Sequence, residues 1–173
     1  LMIHPPTILS LIILALALPA HAAVNRQPAD SAPLKFAATE IERAAKDAKQ
    51  PVPDVTLSVT PDAAQSYRIE REGAKVRVIG GDAAGAMYGG LDIAEAIRTD
   101  TLNTLKDSEN KPHIEKRGIK FNIPLDLRTP SYTDSSDAAQ ANIPEVWERE
   151  FWIDYLDAMA RHRYNVLSLW SLH

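Results

Sequence analysis

The spacing of apolar and polar residues predicts a helix followed by three short strands. Between residues 34 and 49 apolar side chains recur at steps of three and four, with charged residues such as Glu40 on the other faces. This is the period of an amphipathic helix. Alternation of apolar and polar residues then predicts a strand at residues 55–59 and a hairpin formed by residues 66–70 and 75–79. These elements indicate a small sheet with one apolar face.

A second helix is predicted at residues 83–98. Asp82 lies directly before it and suits the N-cap position, because its carboxylate can accept the free N–H groups of the first turn. Three glycines lie inside this helix: Gly85, Gly89 and Gly90. Each costs roughly 1 kcal/mol relative to Ala, and we interpret them as points of close packing between helix and sheet. A phosphate-binding loop is the alternative, but the run matches neither the P-loop nor the dinucleotide-binding glycine pattern.

The second half of the chain predicts a strand, a crossover helix and another strand. A polar connector at residues 99–111 leads to a mostly apolar strand at residues 117–125, and after a long polar loop a helix follows at residues 145–162. Residues 165–170 form a further apolar strand. Two such strands joined by a helix are the βαβ unit of a parallel sheet. One unit cannot cover both faces of its strands, so we expect the chain to end inside a domain.

The first residues are typical of a secretory signal. Residues 8–18 form an almost unbroken apolar run, which is shorter than the ~20 residues that a membrane span needs. Ala20 and Ala22 after it fit the small-residue pattern of a signal-peptidase site. We therefore predict a signal peptide at residues 1–22, a linker at residues 23–33 and a secreted or periplasmic protein. An uncleaved anchor or a buried core segment is the alternative.

Charge and composition exclude several classes of function. The formal net charge is −4, which gives no reason to expect nucleic acid as a partner, because that calls for a basic face. The same charge argues against binding to an anionic membrane surface once the signal has been removed. The chain has no cysteine, so it has no thiol nucleophile, Cys-ligated metal or lipoprotein anchor. No His and Glu spacing is typical of a metal site, and we predict neither a metal nor a cofactor.

Two stretches resemble a known family of enzymes. After the hairpin, the residues Gly80 or Gly81, Asp82, Gly85, Tyr88 and Gly89 follow a G-x-D-x-x-G-x-x-Y-G pattern. This resembles the small α/β domain in front of the catalytic barrel in bacterial beta-hexosaminidases and alpha-glucuronidases. Residues 116–121, KRGIKF, resemble the opening of strand one of their (β/α)8 barrel, and residues 151–170 resemble helix one and strand two.

The resemblance covers residues 34–173 and implies a two-part α/β architecture. Residues 34–112 would form the small α/β domain, a mixed sheet with two helices. Residues 113–173 would form the first βαβ unit of a truncated barrel. The implied protein is an exo-acting glycoside hydrolase similar to beta-N-acetylhexosaminidases, with a carbohydrate as its partner. A non-catalytic carbohydrate-binding module is a further alternative.

The catalytic residues of such an enzyme are expected outside this chain. Barrel enzymes carry their chemistry at the carboxyl ends of the strands, and glycosidases use two carboxyl groups or one carboxyl with the substrate's acetamide. In hexosaminidases the Asp-Glu pair follows strand four, so we predict no catalytic residue among these 173 and no activity of the chain alone. Asn122 stands where hexosaminidases usually have Asp, which keeps an alpha-glucuronidase or another uronic-acid-cleaving enzyme as an alternative.

We predict five substrate-binding residues: Arg117, Asp126, Arg128, Trp170 and His173. The resemblance implies that Arg117 hydrogen-bonds hydroxyls of the terminal sugar. Asp126 and Arg128 follow strand one, and Trp170 and His173 end strand two. These four are expected on the active rim of a barrel, where Trp170 would stack on a sugar ring and Arg128 would hold a uronate. The alternatives are a salt-bridging Arg117, a solvated loop at Asp126 and Arg128, and a core position for Trp170.

Overall fold

The computed structural model describes residues 23–123 and 148–171. The strands are β1 (Val24–Gln27), β2 (Asp54–Val59), β3 (Tyr67–Glu72), β4 (Lys75–Gly80), β5 (Ser108–Asn110), β6 (Gly118–Ile123) and β7 (Val166–Ser171). The helices are α1 (Ala32–Asp47), α2 (Ala83–Arg98) and α3 (Arg149–Arg161), with one short 3-10 turn at Leu102–Thr104. The chain therefore has an α/β fold in which two separate sheets follow one another.

The first sheet has five strands in the order β1-β2-β4-β3-β5. β1, β2 and β4 run parallel to one another, whereas β3 lies antiparallel to β4 and β5 lies antiparallel to β3. The predicted hairpin is confirmed, with Ile69 opposite Val78. One face of this mixed sheet is apolar and buried, and includes Val55, Leu57 and Val76.

Both helices pack against that apolar face and against each other. Leu34 and Ile41 of α1 and Ile93 and Ile97 of α2 are almost completely buried in the same core as the sheet residues. The opposite face carries charged side chains, with Glu70 of β3 paired to Arg77 of β4 at 3.4 Å. Apolar residues alternate along β3 and β4 and recur at the helical period along α1 and α2, which gives the sheet and the helices one apolar face each. These faces pack together and form a two-layer domain.

The predicted close packing of helix on sheet is confirmed for Gly89, whereas Gly85 lies against the turn before β3 and Gly90 lies nearest to Ala37 of α1. A Cβ atom at Gly85 would lie 2.0 Å from the carbonyl oxygen of Ser66, and one at Gly89 would lie 2.4 Å from Cγ1 of Val78. The N-cap is also confirmed, since the N–H of Gly85 donates to Oδ1 of Asp82 at 2.7 Å. The glycines of α2 therefore allow the helix to lie close to the turn before β3, to the sheet and to α1.

Two strands lie in segments that the sequence predicted to be irregular. β1 falls within the predicted linker at residues 23–33, and β5 falls within the connector at residues 99–111. Both are edge strands of the sheet, so their conformation comes from backbone hydrogen bonds to one neighbour and needs no apolar face of their own. Val24 is the one apolar residue in β1, and β5 has none. Backbone pairing with the neighbouring strand therefore outweighs the weak strand propensity of the residues in β1 and β5.

The second sheet is the predicted βαβ unit. β6 and β7 pair in parallel, with Gly118 opposite Val166 and Ile123 opposite Ser171, and α3 connects to β7. Several apolar side chains of this unit are exposed: Ile153, Leu156, Val166 and Leu169. Among the residues that the structure describes, no helix has the length and the apolar character that a membrane span requires.

Candidate functional site

The two predicted substrate-binding residues that the structure describes lie at opposite ends of the strand pair. Arg117 directly precedes β6, whereas Trp170 lies near the end of β7, opposite Asn122. Along a parallel strand this register separates the two positions by roughly 17 Å. Asp126, Arg128 and His173 lie outside the described residues. The pocket that we expect these five residues to share stays a prediction, and Arg117 lies at the opposite edge from Trp170.

The guanidinium of Arg117 is held by oxygen atoms from both parts of the chain. Its Nε donates to the carbonyl of Arg163 at 2.8 Å, and Nη1 donates to the carbonyl of Ile114 at 2.5 Å. Nη2 donates to Oε1 of Gln65 at 2.8 Å and to the hydroxyl of Tyr88 at 3.1 Å. Arg117 also lies over the ring of Tyr88, 5.4 Å from its centroid. These contacts join β6 to the first domain, and binding of a sugar by Arg117 stays a prediction.

Gln65 and Asn165 complete this junction. Oδ1 of Asn165 accepts the backbone N–H of Arg117 at 2.8 Å, and its Nδ2 donates to the carbonyl of Glu115 at 2.8 Å. Nε2 of Gln65 donates to the same carbonyl at 3.0 Å. Gln65 is 8% exposed, and its φ of 59° lies in the left-handed region that residues with a side chain rarely adopt. The backbone is therefore held in an uncommon conformation that directs this amide into the junction.

A buried carboxylate links α1, α2 and α3. Glu40 of α1 is 2% exposed and accepts hydrogen bonds from Arg98 of α2 at 3.1 Å and from Arg161 of α3 at 3.0 Å. It also pairs with Arg43 of its own helix. A buried carboxylate requires such partners, because taking it out of water unpaired would be costly. The sequence placed Glu40 away from the apolar face of its helix, and that prediction was wrong.

A second ion pair joins α2 to the residues that follow α3. Asp92 of α2 pairs with Arg163, which follows α3, and accepts a hydrogen bond from the hydroxyl of Tyr67. Burial, together with this hydrogen bond to Asp92, raises the pKa of the Tyr67 hydroxyl above its ordinary value. The phenol acts as a hydrogen-bond donor to this carboxylate. No sequence motif indicated these contacts, because the partners lie far apart along the chain.

Two clefts open beside these contacts. One, of about 450 Å³, is lined by residues of both domains, including Tyr67, Tyr88, Arg117 and Arg163. The other, of about 390 Å³, lies between α2 and the end of α3 and is lined by Arg98 and Arg161. Within residues 23–123 and 148–171, no group of three or more His, Cys, Asp or Glu side chains is arranged to hold a metal ion.

The architecture is a small α/β domain that precedes a parallel βαβ unit, and it is found in a solved structure of another protein. The chain is similar to a GH138 enzyme targeting pectin rhamnogalacturonan II, with a TM-score of 0.70 and 20% sequence identity. The match covers 87% of this chain and 19% of that enzyme, so this chain spans about a fifth of its length. No protein-family model and no curated protein match the chain. At this identity the similarity shows the fold.

Proposed function

We propose that this chain is the small domain and the start of the catalytic barrel of an exported glycoside hydrolase. The observation that supports the proposal is the order of its parts, a mixed α/β domain followed by a βαβ unit, which the GH138 enzyme shares over 87% of this chain. The exposed apolar side chains on α3 and β7 also fit, because further strand–helix units of a barrel would cover them.

The reaction in such an enzyme would take place at the carboxyl ends of β6 and β7. Hydrolysis needs two suitably placed carboxyl groups, or one together with a substrate acetamide. We infer that Asp126, Arg128, Trp170 and His173 contribute substrate contacts at this edge, and that later strands contribute the catalytic acids. Binding and catalysis are thus divided between this chain and the rest of the barrel.

We infer a pectin-type polysaccharide, rich in uronic acids, as the substrate class. The structural neighbour targets pectin rhamnogalacturonan II, and Asn122 replaces the Asp that a hexosaminidase usually carries. A carboxylate on the sugar would suit a bidentate contact from Arg128. The hexosaminide interpretation from the sequence resemblance is the second candidate, carried by the glycine and tyrosine pattern around Asp82.

An assay of the protein with its complete barrel tests this proposal. We expect release of uronic acid from pectin oligosaccharides, and weaker or no release of N-acetylhexosamine from aryl hexosaminides. The 173 residues alone are the matched control and are expected to hydrolyse neither. Preferential hydrolysis of hexosaminides would show that the substrate is a hexosaminide and not a uronic-acid-rich polysaccharide. Inactivity on every glycoside tested would contradict the proposal that the protein is an enzyme.

Export can be tested separately. We predict cleavage after Ala22, which would leave Ala23 as the first residue of the mature protein. This position suits the fold, because the carbonyl of Ala23 accepts the N–H of Val55 and β1 begins at Val24. Intact-mass measurement of the exported protein checks the prediction. A mass that retains the apolar run at residues 8–18 would show that the run is an anchor or a core segment.

A further inference from the structure

The cleft of about 450 Å³ lies at the edge of the βαβ unit where the strands begin. Tyr67 and Tyr88 line it from the first domain, and Arg117 and Arg163 line it from the residues that precede β6 and β7. Its volume falls in the range of about 300–1,000 Å³ that is usual for small-molecule sites. It lies at the opposite end of the strands from the proposed catalytic edge.

The charged side chains that line this cleft are basic. Among the residues that the structure describes, none of the side chains lining it is acidic. The guanidinium of Arg117 donates only to carbonyl, amide and hydroxyl oxygens, so no carboxylate offsets its charge. The charge of Arg163 is offset by its ion pair with Asp92. An unbalanced guanidinium in the wall of a cleft favours an anion there.

The rim adds further donors. Lys111 and His113 follow β5, line the cleft and are exposed. Within residues 23–123 and 148–171, the ammonium of Lys111 has no ion pair, so its donors are available to a ligand. The half-buried Tyr67 and Pro112 contribute apolar surface beside these donors. A cationic donor next to an apolar wall suits a ligand that carries a carboxylate on a pyranose ring.

We propose that this cleft is an accessory site for the uronate unit of an acidic saccharide. The sugar carboxylate would accept hydrogen bonds from Lys111 in the positive field of Arg117, and the ring would pack against Tyr67 and Pro112. The choice of a sugar as the carrier of the carboxylate rests on the proposed function. An accessory site at this edge would hold a second part of the polymer while the catalytic edge binds the end that is cleaved.

Isothermal titration of the purified protein with galacturonate, galactose and acetate tests the site. We expect galacturonate to bind roughly tenfold more tightly than either of the others, because galactose lacks the charge-assisted hydrogen bond and acetate lacks the ring. Lys111→Ala should weaken galacturonate binding by about tenfold for the same reason. Lys106→Ala, an exposed lysine on the same connector and outside the cleft, is the matched control and should bind as the unchanged protein does.

Three results would overturn the site. Equal affinity for galactose would show that no carboxylate is recognised, and equal affinity for acetate would show a bare anion site without a sugar. An equal loss of galacturonate affinity in Lys106→Ala would show that the lysines attract the ligand by their charge alone, without a specific site. Selective galacturonate binding that depends on Lys111 supports the site whether or not the complete barrel hydrolyses glycosides, so its failure and that of the proposed enzyme are distinguishable.

Discussion

Arg117 donates to five neutral oxygens that come from separate parts of the chain. The sequence singled out this arginine through its resemblance to the start of a barrel strand. It could not indicate the partners, because Gln65 and Arg163 lie 52 and 46 residues away. The local sequence thus indicated Arg117 as a candidate functional residue, whereas its contacts depend on how distant parts of the chain pack together.

Replacing Arg117 by Lys separates a structural role from a sugar-binding role. An ammonium cannot reproduce the planar fork of five donors, so we expect Arg117→Lys to lower the free energy of unfolding by about 2 kcal/mol. Arg68→Lys, at an exposed position on β3, is the control and should change it by less than about 0.5 kcal/mol. Urea unfolding measures both. Unchanged stability together with weaker substrate binding would support the sugar-contacting interpretation.

At the scale of elements, the sequence predicted both helices of the first domain, the hairpin and the βαβ unit. Each of these elements has an apolar face, and the spacing of the apolar residues along the sequence differs between a helix and a strand. β1 and β5 were not predicted, since they are edge strands whose side chains are mostly polar. The candidate site was predicted less well, because its known contacts depend on packing between elements.

The contact of α2 with the turn before β3 gives a prediction for Gly85. Ala normally stabilises a helix relative to Gly by roughly 1 kcal/mol, yet a Cβ at Gly85 would lie 2.0 Å from the backbone oxygen of Ser66. We therefore expect Gly85→Ala to destabilise the domain by about 1–3 kcal/mol. Glu95→Ala on the exposed side of the same helix should change stability by less than about 0.5 kcal/mol. Thermal unfolding checks both, and a higher melting temperature for Gly85→Ala would contradict the packing argument.

At the scale of the whole molecule, the five-stranded sheet with its two helices meets the βαβ unit through contacts that include polar side chains. Glu40, Asp92 and Gln65 each contact an arginine that lies in or next to the βαβ unit. Hydrogen bonds and ion pairs of this kind are directional, so they fix an orientation as well as contributing stability. The first domain is therefore held against the edge where the strands of the βαβ unit begin.

Removal of the buried carboxylate tests this connection. Glu40→Ala would leave Arg98 and Arg161 without their shared partner, and we expect a loss of roughly 3 kcal/mol. Glu42→Ala, an exposed acid on the same helix, is the matched control and should have an effect below about 0.5 kcal/mol. Hydrogen exchange adds a readout of the junction, where the amides of α3 should lose protection in Glu40→Ala. Protection of α3 equal to that in Glu42→Ala would show that Glu40 does not hold the two domains together.

The bond between Glu40 and Arg161 spans 121 residues of chain, and this separation has a consequence for the order of folding. During synthesis α1, α2 and the five-stranded sheet are all complete before α3 is made, since they end at Asn110. Contacts between residues so distant in sequence form slowly, because a long loop must close first. We therefore expect the five-stranded sheet and its two helices to fold before Glu40 can pair with Arg161, and the βαβ unit to dock onto them in a late step.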